Sequence, residues 1–496
     1  MHKAFQHRAL PLAVIAFLFI LQAIVRLRSD LVGDASWFLY VADGLLHGKN
    51  LYVDYVEVNP PLAIWLMLPV AWLGGTTALG FINALYLSLL ALTATGVALV
   101  NRYLRMTAAI PQQSRLWLCV LAAAALLFMP AGDFGEREHF MVLLFMPWPF
   151  LRLAHAGGAK PIQIEAIAIG VMAAIAICFK PQSVLAPVAV ELFLAWRYRR
   201  WQSLVATENL AAIAFVAFYA AILLTTEPKF MGLIVDLVVK AYLPFYGYPS
   251  ELIWLGSLLT IGLITLAMLL WWQIEGALAD ITAMAAMVAA GFLLSYFIQY
   301  KGFSYQLMPA LVFASVACAA GVVALATQAA STPLQKGLLG AALFLAIVHF
   351  STQTQACVCD ERITASTIAT YAPRAKSVFI ASIRVGSAFP LVVKQNLLWA
   401  SRLPTSWLTP YVASIWHDGP LPNDAIIARA LDWDVTDFAT FRPEIVFIDE
   451  SSEQLEVKGG YFDYVKFWSN DARFAALWAR YERRATINGF AVYTLQ

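Results

Sequence analysis

The sequence has few charged residues and almost no net charge. Asp, Glu, Lys and Arg make up 13% of the 496 residues, whereas soluble domains contain about 25%. The formal net charge is only +2, and hydrophobic residues make up 61% of the chain. These values exclude a single water-soluble globule, and they provide no basic surface that would bind nucleic acid.

The chain also lacks the motifs of several enzyme classes. It contains no Walker-type phosphate loop, no dinucleotide-binding glycine pattern, no nucleophilic triad spacing and no zinc motif. Three of its five cysteines lie inside apolar runs, while Cys357 and Cys359 are separated by one residue beyond the last run. For that pair, a disulfide and half of a metal site both stay open. We do not expect a nucleotide-driven pump.

What the chain does have is a succession of long apolar runs. Runs of Leu, Ala, Ile and Val that can cross a hydrocarbon core of about 30 Å recur through residues 1–350. They do not alternate as barrel strands do, so the sequence predicts a polytopic α-helical membrane protein with about 11 transmembrane helices. Lys3 and Arg8 precede the first run, which we interpret as a retained anchor. Basic residues in alternate loops predict a cytoplasmic N-terminus.

Residues 351–496 differ in composition from the rest of the chain. Mixed polar and apolar sequence replaces the long runs, and short β-rich pieces alternate with helical stretches. We therefore predict two domains, a membrane domain over 1–350 and an extracytoplasmic α/β domain over 351–496. The first outer loop is predicted at 28–77. Within it, 61–73 is predicted as a half-helix bounded by prolines and a Gly pair.

The predicted first outer loop has a distinctive order of residues. An acid directly after the first helix is followed by an amphipathic aromatic helix and a Gly turn over 33–48, an acidic-aromatic stretch over 51–55, and a Pro-Pro-Leu start to the half-helix over 57–65. This order resembles the first outer loop of the GT-C membrane glycosyltransferases. The resemblance is closest to the branch that holds the protein O-mannosyltransferases and the lipid A aminoarabinose transferase. Two positions depart from the family pattern: Ala35 replaces a second acid, and Asn59 replaces a Lys.

The resemblance implies a glycosyltransferase in a bacterial cytoplasmic (inner) membrane, with its site on the outer, periplasmic side. The donor would be a polyprenyl-phosphate monosaccharide, and the acceptor a lipid, a polysaccharide or a protein. Such a transfer needs a carboxylate that takes the acceptor's proton and cations that stabilise the departing phosphate. Asp34 is the predicted general base. The predicted ligands of the donor phosphate are Lys301, Lys180 and Arg137.

Other polar residues at the same predicted face are candidates for binding the acceptor or the sugar. They occur in the first outer loop, between the third and fourth predicted helices, and after Lys301. They are Asp54, Tyr55, Glu57, Glu136, Glu138, His139 and Tyr305.

A divalent cation, Mg or Mn, is left open because Ala35 removes one expected ligand. Its candidate ligands are Asp34, Glu57 and Glu138. Two other functions also stay open. One is a lipid or sugar transporter or flippase, for which midplane charges and inverted repeats would be expected. The other is a non-catalytic envelope-assembly protein that docks partners through its C-terminal domain.

Overall fold

The computed structural model describes residues 9–29, 31–107, 110–245, 247, 252–327, 332–338, 340–341, 345, 362–451, 454 and 461–496. Cys357, Cys359 and most of the last predicted crossing, at 336–350, lie outside these residues. The chain divides into two compact units. Unit 1 comprises Met1–Ser29, Leu85–Ile222 and Tyr248–Cys357, and unit 2 comprises Asp30–Ala84, Leu223–Gly247 and Val358–Gln496.

The described residues up to 327 are mostly helical. The helices are α1 (Ala9–Arg26), α2 (Gly33–Leu46), α3 (Leu62–Thr76), α4 (Gly80–Met106), α5 (Gln112–Phe128), α6 (Arg137–Phe145), α7 (Pro147–Ala156), α8 (Gln163–Phe179), α9 (Leu185–Tyr198), α10 (Thr207–Thr226), α11 (Leu255–Trp271), α12 (Ala277–Gln299) and α13 (Ser304–Thr327). Within the described residues, α1, α4, α10, α12 and α13 are long and apolar enough to cross a membrane. Helices α3, α5, α8 and α11 are apolar but shorter.

The core of unit 1 is built around α12 and α13. These two helices pack against each other, α12 also packs against α9, and both pack against α11. Gly291 of α12 makes the contact with α9 close, since a Cβ atom there would lie 2.5 Å from the Cα of Ala186. Small residues at such crossings let helix backbones approach each other, as is common between membrane helices.

One predicted crossing, at 140–153, is two helices in the structure. Helix α6 ends at Phe145, and α7 begins at Pro147 in its first helical position. Because proline has no N–H and fixes its φ angle, it suits the start of a helix better than its interior. The break at this point therefore follows from Pro147.

Unit 2 contains a mixed five-stranded sheet formed by the C-terminal residues. The strands are β1 (Ser377–Ala381), β2 (Leu398–Trp399), β3 (Ile445–Asp449), β4 (Tyr481–Ile487) and β5 (Phe490–Leu495), in the order β2-β1-β3-β5-β4. Strand β1 is parallel to β2 and β3, whereas β5 is antiparallel to β3 and β4. The helices of this part are α14 (Ala365–Tyr371), α15 (Leu391–Lys394), α16 (Thr409–Ile415), α17 (Ala425–Phe441), α18 (Tyr464–Trp468) and α19 (Ala472–Trp478).

The α2–α3 segment, residues 33–76, belongs to unit 2 and contacts the C-terminal residues directly. The backbone N–H of Val56 donates to the carbonyl of Arg402 at 2.7 Å, and the N–H of Trp399 donates to the Tyr40 hydroxyl at 3.0 Å. The ring of Phe389 lies 5.3 Å from that of Trp37. These contacts hold the segment that carries the predicted base against the C-terminal sheet.

Candidate functional site

Asp34, the predicted general base, lies in the first turn of α2. Val32 is the residue that precedes this helix, and its own side chain makes no capping hydrogen bond. An acid in the first turn interacts favourably with the positive end of the helix dipole. The Asp34 carboxylate therefore occupies a position that stabilises its ionised form, as a base requires.

Glu57 is a buried acid that organises the α2–α3 segment. Its side chain is 2% exposed and accepts hydrogen bonds from the Trp37 indole Nε1 at 2.7 Å and from the backbone N–H of Asn59 at 2.9 Å. The side-chain amide of Asn59 also donates to it. These donors hold the loop before α3 against α2, which gives Glu57 a role in shaping the segment.

Asp54 and Tyr55 lie on the turn between α2 and Glu57. The Asp54 carboxylate accepts from the backbone N–H of Asn50 at 2.7 Å and from its side-chain amide at 3.3 Å. Tyr55 packs edge-on against Trp37 and Tyr40, and burial raises the pKa of its phenol above the usual range. The ring lies so close to α2 that a side chain at Gly44 would collide with its hydroxyl.

In unit 1, Lys180 follows α8 and is held by groups from two other elements. Its Nζ forms an ion pair with the buried carboxylate of Glu138, at the start of α6, and donates to the Oε1 of Gln299 at 3.0 Å. The ammonium also lies 5.3 Å from the ring centre of Tyr305. Three of the sequence candidates, Lys180, Glu138 and Tyr305, are therefore in one place.

Lys301, in the loop between α12 and α13, belongs to the same cluster. Burial, together with the positive charges of Lys180 and Arg137, lowers its pKa to about 7. Its Nζ lies 6.0 Å from the ring centre of Phe303. The electrostatic coupling shows that the three predicted phosphate ligands converge within unit 1 and repel one another there. An anion bound among them would relieve this repulsion.

His139 and Glu136, two candidates for sugar binding, are buried in the same unit. The Nε2 atom of His139 lies 3.0 Å from the carbonyl of Leu126, and its Nδ1 accepts from the N–H of Gly135 at 3.3 Å. Both ring nitrogens are therefore engaged in holding the turn before α6. Glu136 precedes α6 and is 3% exposed.

Of the acids predicted as metal ligands, Asp34 and Glu57 belong to unit 2 and Glu138 belongs to unit 1. Among the described residues, no group of three or more His, Cys, Asp or Glu side chains is arranged to hold a metal ion. Two of the three candidates already have strong partners, since Glu57 accepts several N–H groups and Glu138 is paired with Lys180.

Sequence reasoning missed Gln299 and gave Trp37 no specific partner. Gln299 is the last residue of an apolar helix of 23 residues. A polar residue at the end of an apolar run is the signal by which the sequence could have indicated it. Nothing in the sequence pairs it with Lys180, which lies 119 residues away.

Apolar helices followed by a C-terminal mixed sheet make up a mostly helical, polytopic membrane fold. The solved structure described as ArnT from Cupriavidus metallidurans bound to undecaprenyl phosphate has this fold. It matches with a TM-score of 0.52 and 12% sequence identity, over 98% of this chain and 97% of that chain. No family model matches the sequence, and no curated protein matches it. The structural match confirms the predicted fold class and shows that the predicted resemblance extends, in fold, over nearly the whole chain.

Proposed function

We propose that this protein is an integral membrane glycosyltransferase that moves a monosaccharide from a polyprenyl-phosphate donor to a lipid, polysaccharide or protein acceptor. The observation that carries the proposal is the match over nearly the whole chain to a structure solved with undecaprenyl phosphate bound. In the proposed orientation, transfer takes place on the outer side of the membrane. No dissociable nucleotide is required.

The cation cluster of unit 1 supports the donor part of the proposal. Lys301 is partly deprotonated near neutral pH because burial and two other cations disfavour its charge. A phosphate bound there would restore the full charge and form charge-assisted hydrogen bonds. The proposed ligands of the phosphate are Lys301, Lys180 and Arg137, and Lys180 is also paired with Glu138.

In the proposed reaction, the acceptor hydroxyl attacks the anomeric carbon of the donor. The new bond from acceptor oxygen to carbon forms as the bond from that carbon to the phosphate oxygen breaks, which inverts the anomeric configuration. The acceptor proton passes to the carboxylate of Asp34, and the electron pair of the broken bond leaves on the phosphate. Lys301 and Arg137 stabilise that charge.

The test compares wild type with Asp34→Asn at matched abundance in cells, by mass spectrometry of envelope lipids and glycans. We expect one acceptor to lose the mass of one sugar and its polyprenyl-phosphate sugar to accumulate. Asp43→Asn, a change of the same kind on α2, is the control and should leave the profile unchanged.

An unchanged profile in the Asp34→Asn cells would contradict the assigned base. If deletion of the whole protein also left every acceptor mass unchanged while the donor became trapped on one side of the membrane, transport would replace transfer as the function.

A further inference from the structure

Unit 2 contains a cavity that none of the proposed roles uses. Its volume is about 230 Å³, and it lies where the α2–α3 segment meets the C-terminal sheet and the end of α17. Four of the residues that form its walls are aromatic: Tyr40, Tyr55, Trp399 and Phe441. Small-molecule sites combine such aromatic walls with a few fixed polar groups.

A bidentate ion pair fixes the polar side of this cavity. The Nη2 and Nε atoms of Arg402 donate to the Asp437 carboxylate at 2.7 and 3.0 Å, and the backbone N–H of Arg402 donates to it at 2.8 Å. Asp437 is 4% exposed. The pair presents donors and acceptors side by side, which is the arrangement that adjacent hydroxyl groups of a ligand can match.

The opposite rim carries a second acid and a second cation. One oxygen of Asp54 accepts from Asn50, while the other has no hydrogen-bond partner among the residues that the structure describes. Lys49 also lines the cavity. With two acids and two cations around it, the cavity is neutral overall, which favours an uncharged polar ligand over a phosphate.

We propose that this cavity binds one neutral sugar ring, as a subsite for the acceptor glycan. The aromatic walls would cover the faces of the ring, and the Arg402–Asp437 pair and Asp54 would bind its hydroxyl groups. This assignment of an acceptor rests on the proposed glycosyltransferase function. It places acceptor recognition on the same helix as Asp34, since Tyr40 lies about 9 Å further along α2 at 1.5 Å per residue.

The experiment measures saccharide binding by the full-length protein in lipid nanodiscs, by saturation-transfer NMR. The probes are the methyl glycosides of glucose, galactose, mannose and N-acetylglucosamine, with galacturonate and inorganic phosphate as anionic comparisons. The blocking variant is Thr440→Trp, because Thr440 is exposed at the cavity wall. The matched control is Thr436→Trp, one turn earlier on α17 and outside the cavity lining.

We expect at least one neutral glycoside to bind, with its Kd raised at least about tenfold by Thr440→Trp and unchanged by Thr436→Trp. Binding of none of the neutral glycosides, binding of the anions alone, or equal binding by both variants would overturn the proposal. A second readout separates it from the proposed function. If sugar transfer occurs but Thr440→Trp leaves the acceptor KM unchanged, the subsite is wrong and the transferase stands. If a glycoside binds as expected but no transfer occurs, the sugar-binding cavity stands and the glycosyltransferase function is wrong.

Discussion

Trp37 and Glu57 are joined by a 2.7 Å hydrogen bond from the indole Nε1 to a carboxylate that is 2% exposed. The bond links α2 to the loop before α3, across 20 residues of sequence. The same carboxylate also receives the backbone N–H and the side-chain amide of Asn59. Glu57 therefore needs the acceptor capacity of both of its oxygens.

For Glu57→Gln we expect a loss of stability although the shape of the side chain is kept. An amide offers one acceptor oxygen, so at least one of the N–H groups would face an NH₂ group instead. The free energy of unfolding should fall by about 1–3 kcal/mol, measured by chemical unfolding in detergent with tryptophan fluorescence. Asp54→Asn is the control, because Asp54 accepts through one oxygen at the surface, and it should change stability far less. Equal effects of the two changes would contradict the assigned role of Glu57.

The cation cluster predicts a pH dependence of donor binding. The pKa of Lys301 is lowered to about 7, and a bound phosphate would raise it again. Because binding then takes up a proton, the affinity for undecaprenyl phosphate should fall as pH rises above 7, by up to about tenfold per pH unit. Titration of nanodisc samples between pH 7 and 9 measures this.

The variant Lys301→Arg tests the cause of that slope. Arginine stays protonated throughout the range, so the slope should disappear while binding is retained. Lys160→Arg, at a lysine in the loop between α7 and α8, should keep the wild-type slope. A slope that survives in Lys301→Arg would assign the titration to another group.

A buried ion network in unit 1 predicts a strong effect at Arg152. Its guanidinium is 0% exposed and donates to Glu208 at 2.6 Å and to Glu191 at 2.9 Å. Replacing it with alanine removes the guanidinium from both carboxylates and leaves Glu208 with His155, so Arg152→Ala should destabilise the protein by about 3–5 kcal/mol. Arg102→Ala removes a half-exposed partner of Glu165 and should cost far less. Thermal unfolding in one detergent ranks the two variants, and a similar loss in both would contradict this difference.

Asp434, in the C-terminal residues, predicts that the free energy of unfolding decreases as pH rises. Burial raises the pKa of this carboxyl from its ordinary value to about 7, although it accepts from the Trp468 indole at 2.9 Å. The unfolded chain would ionise it near pH 4 and the folded chain only near pH 7, so stability should decrease between these values and level off above. At pH 8 we expect Asp434→Asn to be more stable than wild type by at least about 1 kcal/mol.

The control for that prediction is Asp432→Asn, at an exposed acid on the same helix. It should keep the pH dependence of the wild type in chemical unfolding measured from pH 4 to 8. If Asp434→Asn kept the same dependence, another group would be responsible.

The sequence predicts those strands whose own residues form short apolar runs. The pieces predicted at 377–381, 396–400, 444–449 and 491–495 contain or overlap β1, β2, β3 and β5, because strands such as β1 and β3 are short apolar runs that are fully buried. Strand β4 was not predicted. Its sequence is Tyr-Glu-Arg-Arg-Ala-Thr-Ile, and it lies mostly exposed at the edge of the sheet. Pairing with β5 makes this segment a strand, and its own composition does not indicate one.

The candidate site also has a part that the sequence predicts and a part that only the folded chain determines. The order of residues in the α2–α3 segment was enough to indicate Asp34, since a local motif carries it. The partners of Glu57 and Lys180 come from distant positions, and only the folded chain determines which N–H or carboxylate each one meets. The roles of Asp34, Lys301 and Arg137 stay proposals, and Asp34→Asn and Lys301→Arg test the first two.

The hydrogen bond from Val56 to Arg402 has a consequence for biosynthesis. The two residues are separated by roughly 350 positions, which a ribosome at 5–20 residues per second needs about 20–70 s to translate. During that interval the α2–α3 segment is already made, but the residue that pairs with it does not yet exist. Unit 2 can therefore be completed only after its C-terminal residues have been made, and truncated chains that stop before residue 398 would display an unfinished Asp34 segment to quality-control proteases.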